Sequence, residues 1–561
     1  MNLDPARSLC RGPLIPALLL ALGLCWTVAI RVPLVVNAAD HLDSDLAVDG
    51  LTLLDSVEGR WRWHYPGTPY MGILPVLFSY PQALFWGANP VTLVSGGVAI
   101  WVFVVASAFW LAWRMFGPWV AVWAALPLVF SSLGTIWLSG RITGGHLLTL
   151  VWLNLALVGL HRCWTSKRQP EIVALGVWCG LGLYLDSMFV FTIAGVVLAT
   201  VMVGIRTLRR RNALVPPCLF SIALLVGFLP GLFGRWVDPY DAYPAQFGVI
   251  FQPAVLSQHA RLLALHCLPR LVAGGELYEI DRLTAGAPRV YVGVFEWAIV
   301  LTIVGCGIAL IRVALAAVLD AEPARKAVCL AACVSSLLIV LAFLINRNIF
   351  NSDNYRYLIY LLTPWSLGFG LAMEAGWRRG GVARAAALLV SAGLIAGMTL
   401  STYYWYRDNR HYVDRSARVV RLATSPWSDL VVRGRKNRAP GELTGVYQVP
   451  REVTHVFGGY WDVYRMAFLS GNQVRGIPFP MYPNRFRGWS KGLGIDQGEL
   501  LILQPTDDSA GSERPASEAP PERVRAVRSA SRIGWRPALE TVWRSDGRDV
   551  AELDQIRVVV P

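Results

Sequence analysis

Charge is scarce in this sequence. Only 16% of its 561 residues are Asp, Glu, Lys or Arg, while 55% are hydrophobic and the mean hydropathy is +0.45. A water-soluble domain carries about 25% charged residues, so the composition excludes an ordinary soluble globule and points to a chain that crosses a membrane many times. Cysteine is present but unorganised. The nine Cys form no CxxC pair and no Cys/His spacing suited to zinc, and most, among them Cys25, Cys179, Cys218, Cys306, Cys329 and Cys333, sit in apolar segments. They read as small core hydrophobes, not as metal ligands or a disulfide framework. No internal repeat is visible. The formal charge of +14 would suit a nucleic-acid binder, but the basic residues lie in short loops and a polar tail with no basic-aromatic module. In a membrane protein that pattern encodes topology, and no nucleic-acid partner is expected.

Long apolar runs are what the sequence does have. Segments able to cross a hydrocarbon core of roughly 30 Å fall near 13–36, 91–113, 118–138, 146–163, 172–186, 188–205, 214–234, 292–314, 327–345, 356–374 and 383–405. That predicts about eleven spans. The 172–205 stretch reads either as two short helices broken at Asp186 and Ser187 or as one long tilted helix. The first run exceeds the apolar core of a secretory signal and reads as a membrane helix. Basic clusters at "HRCWTSKRQPE" (161–171), "RTLRRRN" (206–212), Arg325/Lys326 and "GWRRGG" (376–381) fall at alternate connections. By the positive-inside rule those connections are cytoplasmic. The N-terminus is then cytoplasmic too. The loops 37–90 and 235–291, with everything after 406, are extracytoplasmic.

Within loop 37–90, "GRWRWHYPGTPYMGILPVLFSYPQALFWG" (59–87) is too rich in proline to span and reads as a re-entrant or interfacial helix. After residue 406 the composition turns polar. Residues 441–505 look folded, with "HVFGGYWDVYRMAFLSG" (455–471) and a strand-like "ELLILQP" (499–505). A low-complexity stretch follows at 506–523, and a terminal "QIRVVVP" (555–561) reads as a strand pairing back onto this region. The expected division is a transmembrane domain over 1–406 and a small soluble α/β domain over 407–561.

Three constellations carry possible chemistry. "NAADHLDSDLAVDGL" (37–51) places Asp40, Asp43, Asp45 and Asp49 just after the first apolar run. An acidic solvated loop would explain some of this charge. The segment also runs into a helical pattern with Leu46, Leu51, Leu53 and Leu54, and Asp45 stands at its start, where a carboxylate is favoured. A carboxylate held at a membrane surface and partly desolvated can act as a general base. "LSGRITGGHLLTL" (138–150) brings Arg141 and His146 to a helix mouth, where Gly144 and Gly145 allow close backbone approach to a ligand. "RNIFNSDNYRYLIYLLTP" (347–364) adds Asp353, Arg356 and Tyr357, and the planar fork of Arg suits phosphate oxygens. A snorkelling Arg141, a helix-start His146 and interfacial anchoring by Arg356 and Tyr357 are the plainer alternatives. Ionisable groups thus gather on one face of the membrane, with Asp186 the main exception.

The acidic first loop, "WHYPGTPYMGIL" and "RYLIYLLTP" resemble the GT-C superfamily of polytopic glycosyltransferases. The likeness is to the bacterial branch related to protein O-mannosyltransferases, lipid A aminoarabinose transferase and the RgtA/B/C/D-like enzymes. It covers about residues 10–405. "SDLAVDGL" is similar to the branch's "DEA–GL" pattern, with Asp45 at the base position and Leu46 where an acidic residue commonly stands. That departure leaves open whether Asp43 shares the role and whether a divalent metal binds; no other cofactor is expected. The resemblance implies an α-helical polytopic fold and an inverting transfer of sugar from a polyprenyl-phosphate donor. The acceptor would be a hydroxyl on a glycan, lipid or protein. It also implies donor phosphate binding by Arg356, Arg141 and His146. His64, Tyr65, Tyr70, Asp353 and Tyr357 are then candidates to bind substrate. A bacterial inner-membrane location follows from the same resemblance. Two other readings stand beside it: a transporter or flippase of lipid-linked sugars, and a non-catalytic assembly subunit on the same fold.

Overall fold

The computed structural model describes residues 14–39, 42–142, 146–204, 215–237, 248–272, 289–320 and 322–408. Beyond these it describes 431–433, 446–448, 455–458, 460–473, 475–478, 485–486, 489, 500–505, 550–553 and 556–559. Asp40, Gly144, Gly145, the basic 206–212 loop, parts of 235–291 and the 506–523 stretch lie outside the described residues. The chain divides into two compact units: residues 1–36, 62–79 and 94–410, and residues 37–61, 80–93 and 411–561.

The first unit is a bundle of membrane helices. Among the described residues, nine helices are long and apolar enough to cross a membrane, from Leu14–Val36 to Gly381–Arg407. The pair Pro118–Phe130 and Leu133–Ser139, bent by 75°, makes a tenth if it is one broken span. The shorter apolar helix Gln169–Leu185 accounts for the remaining sequence-predicted run. It stops at Asp186 and a new helix starts at Ser187, so the 172–205 stretch is two helices, not one. Apolar side chains gain little by leaving lipid for a protein interior, so close backbone approach has to hold such helices together. Gly180 on Gln169–Leu185 and Gly227 on Val215–Val237 supply it: a Cβ on either would run into backbone of the facing helix.

The bend between Pro118–Phe130 and Leu133–Ser139 has a visible cause. Ser131 adopts φ 60°, a left-handed conformation that costs a non-glycine residue energy, and Ser132 caps the second helix by accepting from Thr135 N at 3.2 Å. Arg31, fully buried, pins the break. Its Nη2 donates to Ser131 Oγ at 2.8 Å, its Nε to Ser139 Oγ at 2.5 Å and its Nη1 to Thr27 O at 3.0 Å, with its guanidinium 5.2 Å from the Trp101 ring centroid.

The 59–87 segment differs from the expected re-entrant or interfacial helix. Residues His64–Tyr65 and Thr68–Gly72 form an antiparallel hairpin turning at Gly67 (φ 71°), followed by a 3-10 turn, Leu74–Phe78, and only then the helix Tyr80–Trp86. Pro66 and Pro69 interrupt any helix before residue 74, and Pro75 stands in the first turn of the 3-10 segment, where its missing N–H is not needed. The short helix exposes Leu84, Phe85 and Trp86, the side chains an interfacial segment would present to lipid.

In the second unit the helix Ser44–Val57 packs against Tyr460–Leu469, and Gly50 makes the approach possible. A Cβ there would sit 2.5 Å from Phe468 Cζ. A five-stranded mixed sheet has the order Arg475–Pro478, His455–Gly458, Leu500–Pro505, Ile556–Val559, Val550–Leu553. His455–Gly458 runs parallel to Arg475–Pro478, with Tyr460–Leu469 as the crossover that parallel neighbours require. Ile556–Val559 returns antiparallel to Leu500–Pro505, as the terminal apolar stretch suggested.

Candidate functional site

Asp43 and Asp45 sit at the head of the Ser44–Val57 helix, and the structure gives them different work. Asp43 is the N-cap: its Oδ1 accepts from Leu46 N at 2.9 Å, relieving one of the helix's unpaired amides. Asp45, in the first turn, accepts from Tyr460 Oη at 2.6 Å on its Oδ1. Arg485 Nε donates to the same phenolic oxygen at 3.2 Å, and its Nη2 lies 3.7 Å from Asp45 Oδ1. Burial, and then the Asp45 charge, push the Tyr460 phenol far above the usual tyrosine range, so it remains a proton donor. Asp49 is buried one turn along the same helix.

The remaining sequence-predicted residues belong to the helical unit; Arg141, His146, Asp353, Arg356 and Tyr357 fall in two groups there, while His64, Tyr65 and Tyr70 lie apart on the hairpin. His146 is buried at the start of its helix, with Nδ1 2.6 Å from Asp186 Oδ2. Tyr360 Oη donates to that oxygen at 3.2 Å, and Met188 N donates to Asp186 Oδ1 at 2.9 Å. A carboxylate only accepts, so this geometry places the imidazole proton on Nδ1. The Tyr357 ring meets His146 edge-on at 5.8 Å, and the Arg356 guanidinium lies 5.3 Å from the Tyr357 centroid.

The second group surrounds Tyr355. Arg270 Nη1 donates to Asp353 Oδ1 at 3.1 Å and to Ser352 Oγ at 3.0 Å, with its guanidinium 5.1 Å from the Tyr355 centroid. Arg141, Arg270 and Arg356 all act electrostatically on the buried Tyr355 hydroxyl, with Asp353 the acidic member. Arg141 stacks on Trp137 at 4.0 Å. Such a concentration of guanidinium groups is suited to a phosphate.

His64 and Tyr65 are buried. His64 Nε2 lies 3.1 Å from Gly231 O, and its ring meets Tyr184 edge-on at 6.0 Å; Tyr70 is half-buried. His64 is thus tied to a helix of the bundle. Among the described residues no group of three or more His, Cys, Asp or Glu side chains gathers as a metal centre would need.

Sequence reasoning missed Arg270, Tyr360, Tyr460 and Arg485. Arg270 lies in an apolar "CLPRLV", where a lone Arg was the available signal. Tyr460 lies in "GGYWDVY", whose aromatic density marked a folded element but no role.

Nine or ten helices able to span a membrane among the described residues, a small mixed sheet and the solved structures that superpose on the chain give a polytopic membrane protein of the GT-C fold. The chain superposes on ArnT from Cupriavidus metallidurans in the apo state with a TM-score of 0.53 and 11% identity, over 92% of this chain and 93% of that one. With ArnT bound to undecaprenyl phosphate the TM-score is 0.51 at 11% identity, over 86% and 92%. With the Archaeoglobus fulgidus oligosaccharyltransferase in the apo form it is 0.50 at 12% identity, over 88% of this chain and 69% of that one. At such identities the likeness is one of fold. No protein-family model matches the sequence, and no curated protein matches it.

Proposed function

We propose that this protein is a membrane glycosyltransferase. It moves a sugar from a polyprenyl-phosphate-linked donor to an acceptor hydroxyl on the extracytoplasmic face, with inversion. The observation that carries the reading is the fold shared over most of the chain with ArnT, a protein captured with undecaprenyl phosphate. Asp45 is the base. As the acceptor oxygen attacks C1 of the sugar, its proton passes to the Asp45 carboxylate, and the C1–O bond to phosphate breaks with its electron pair on the leaving oxygen. Arg356, Arg141 and Arg270, with His146, stabilise the charge that develops there. Asp353 and Tyr357, and His64, Tyr65 and Tyr70 of the hairpin segment, serve the substrate, and Asp43 supports Asp45 as its helix cap. The lipid stays in the bilayer throughout. Residues 1–406 form the membrane domain and 407–561 the extracytoplasmic domain, and a bacterial inner membrane is the setting. The acceptor is a glycan, lipid or protein hydroxyl.

The test is transfer by membranes containing the protein, given a panel of radiolabelled polyprenyl-phosphate sugars. Wild type transfers one of them. Asp45→Asn, nearly isosteric but unable to take the proton, reduces transfer by about 10²–10⁴-fold at unchanged protein level. Full activity in Asp45→Asn removes the assignment of the base.

One observation favours a second reading. The His146–Asp186 pair is buried inside the bundle, and ionisable pairs inside membrane domains often mark a transport path. A lipid-linked-sugar transporter would move labelled donor across proteoliposomes with no acceptor present, which a transferase would not.

A further inference from the structure

Two residues of the C-terminal part of the chain touch the carboxylate on which that reading depends. The helix Tyr460–Leu469 begins at the residue that meets Asp45. Tyr460 is anchored by main chain as well as side chain: its carbonyl oxygen accepts from Ser44 Oγ, the residue just before Asp45. Its ring is 4% exposed and packs against Tyr464 at 5.4 Å. A phenol has one proton to give, and here it goes to Asp45 Oδ1. Arg485 is fixed in turn, since its backbone N–H donates to Tyr464 Oη at 2.6 Å. Its guanidinium feeds the Tyr460 oxygen and faces Asp45, so the two side chains form a relay ending on one carboxylate oxygen.

From this geometry we infer that Tyr460 and Arg485 are positioning residues for the base. They hold the Asp45 carboxylate in a single orientation, ready for the acceptor proton. The inference rests on the role proposed for Asp45. Mere docking of the two helices would not need this relay, because Gly50 against Phe468 already joins them on another turn. A base free to rotate loses part of the advantage of a fixed geometry. The phenol is also the right donor, because burial beside Asp45 keeps it protonated.

Tyr460→Phe retains the buried ring and removes only the hydroxyl. It is expected to lower kcat about ten- to a hundredfold, the range for losing a hydrogen bond to a charged group, with the donor KM within about twofold of wild type. Arg485→Gln lowers kcat likewise, and Arg485→Lys restores part of it. Wild-type kcat in Tyr460→Phe overturns the inference while leaving Asp45 as base, provided Asp45→Asn is inactive in the same membranes. If wild type transfers nothing, the glycosyltransferase reading fails separately. The pairing is then decided by melting purified Asp45→Asn, Tyr460→Phe and the double variant. Coupled residues give a double variant that melts no lower than the worse single, and additive losses overturn the pairing.

Discussion

Asp186 gathers three polar contacts inside the helical unit. Three donors converge on its carboxylate: His146 Nδ1 at 2.6 Å, Tyr360 Oη at 3.2 Å and Met188 N at 2.9 Å. All lie inside the bundle, with Asp186 1% and Tyr360 1% exposed. Asp186→Ala deprives all three of their acceptor and puts a small void in its place. A buried polar group left without a partner costs about 1–3 kcal/mol. Three neighbours that share one site do not add fully, so the loss is on the order of 3–6 kcal/mol. Asp186→Asn keeps the shape and one carbonyl oxygen, and is expected to lose about 1–3 kcal/mol. Tyr360→Phe removes the longest of the contacts to Asp186 and costs roughly 1 kcal/mol. The assay is thermal melting of detergent-purified protein, with the order wild type, Tyr360→Phe, Asp186→Asn, Asp186→Ala from highest to lowest Tm. An alanine variant that melts with wild type refutes the reasoning, because it means the three donors find other acceptors.

Two further perturbations follow from the same physics. Arg31→Gln gives up most of three hydrogen bonds from a buried guanidinium to Ser131, Ser139 and Thr27, and is expected to lower stability by about 3 kcal/mol or more; Arg31→Lys recovers only part, since an ammonium cannot span the same fork, and a melting series on the two variants measures both. An alkaline phosphatase fused after residue 420 should be active and one fused in the 206–212 loop inactive, because the basic connections mark the cytoplasmic side; the reverse pattern overturns the topology.

The helices were legible because hydrophobic length is a local property. Each of the eleven apolar runs corresponds to a helix or to the bent pair, and the terminal strand was visible as "QIRVVVP". The hairpin at 64–72 was not, because its turn chemistry at Gly67 sits among aromatics and prolines that equally suit an interfacial helix. Single candidates such as Asp45, His146 and Arg356 stood out by residue type. Their partners did not. Tyr460 lies 415 residues from Asp45, and Asp186 lies 40 residues and a helix away from His146. No periodicity reports a contact at such separations, since packing of distant segments makes it. The same holds for Arg270, whose meaning depends on Asp353, 83 residues later.

The four aspartates in ten positions show how that long-range information resolves a local oddity. Like charges so close in sequence repel, and a solvated loop would keep them all in water. Among those described, the fold sends each to a different surrounding. Asp43 turns back on its own helix, where the unpaired amides of the first turn favour a negative charge. Asp45 turns to a phenol and a guanidinium, which hold its carboxylate in place. Asp49 is buried on the helix that carries Gly50 against Phe468. A little further on, Asp55 is paired with Arg60 at 2.8 Å across the helix end. One carboxylate in this series meets a paired phenol and arginine brought from more than 400 residues away. A loop that needed only solubility would have no reason to recruit them, whereas the base proposed for Asp45 does.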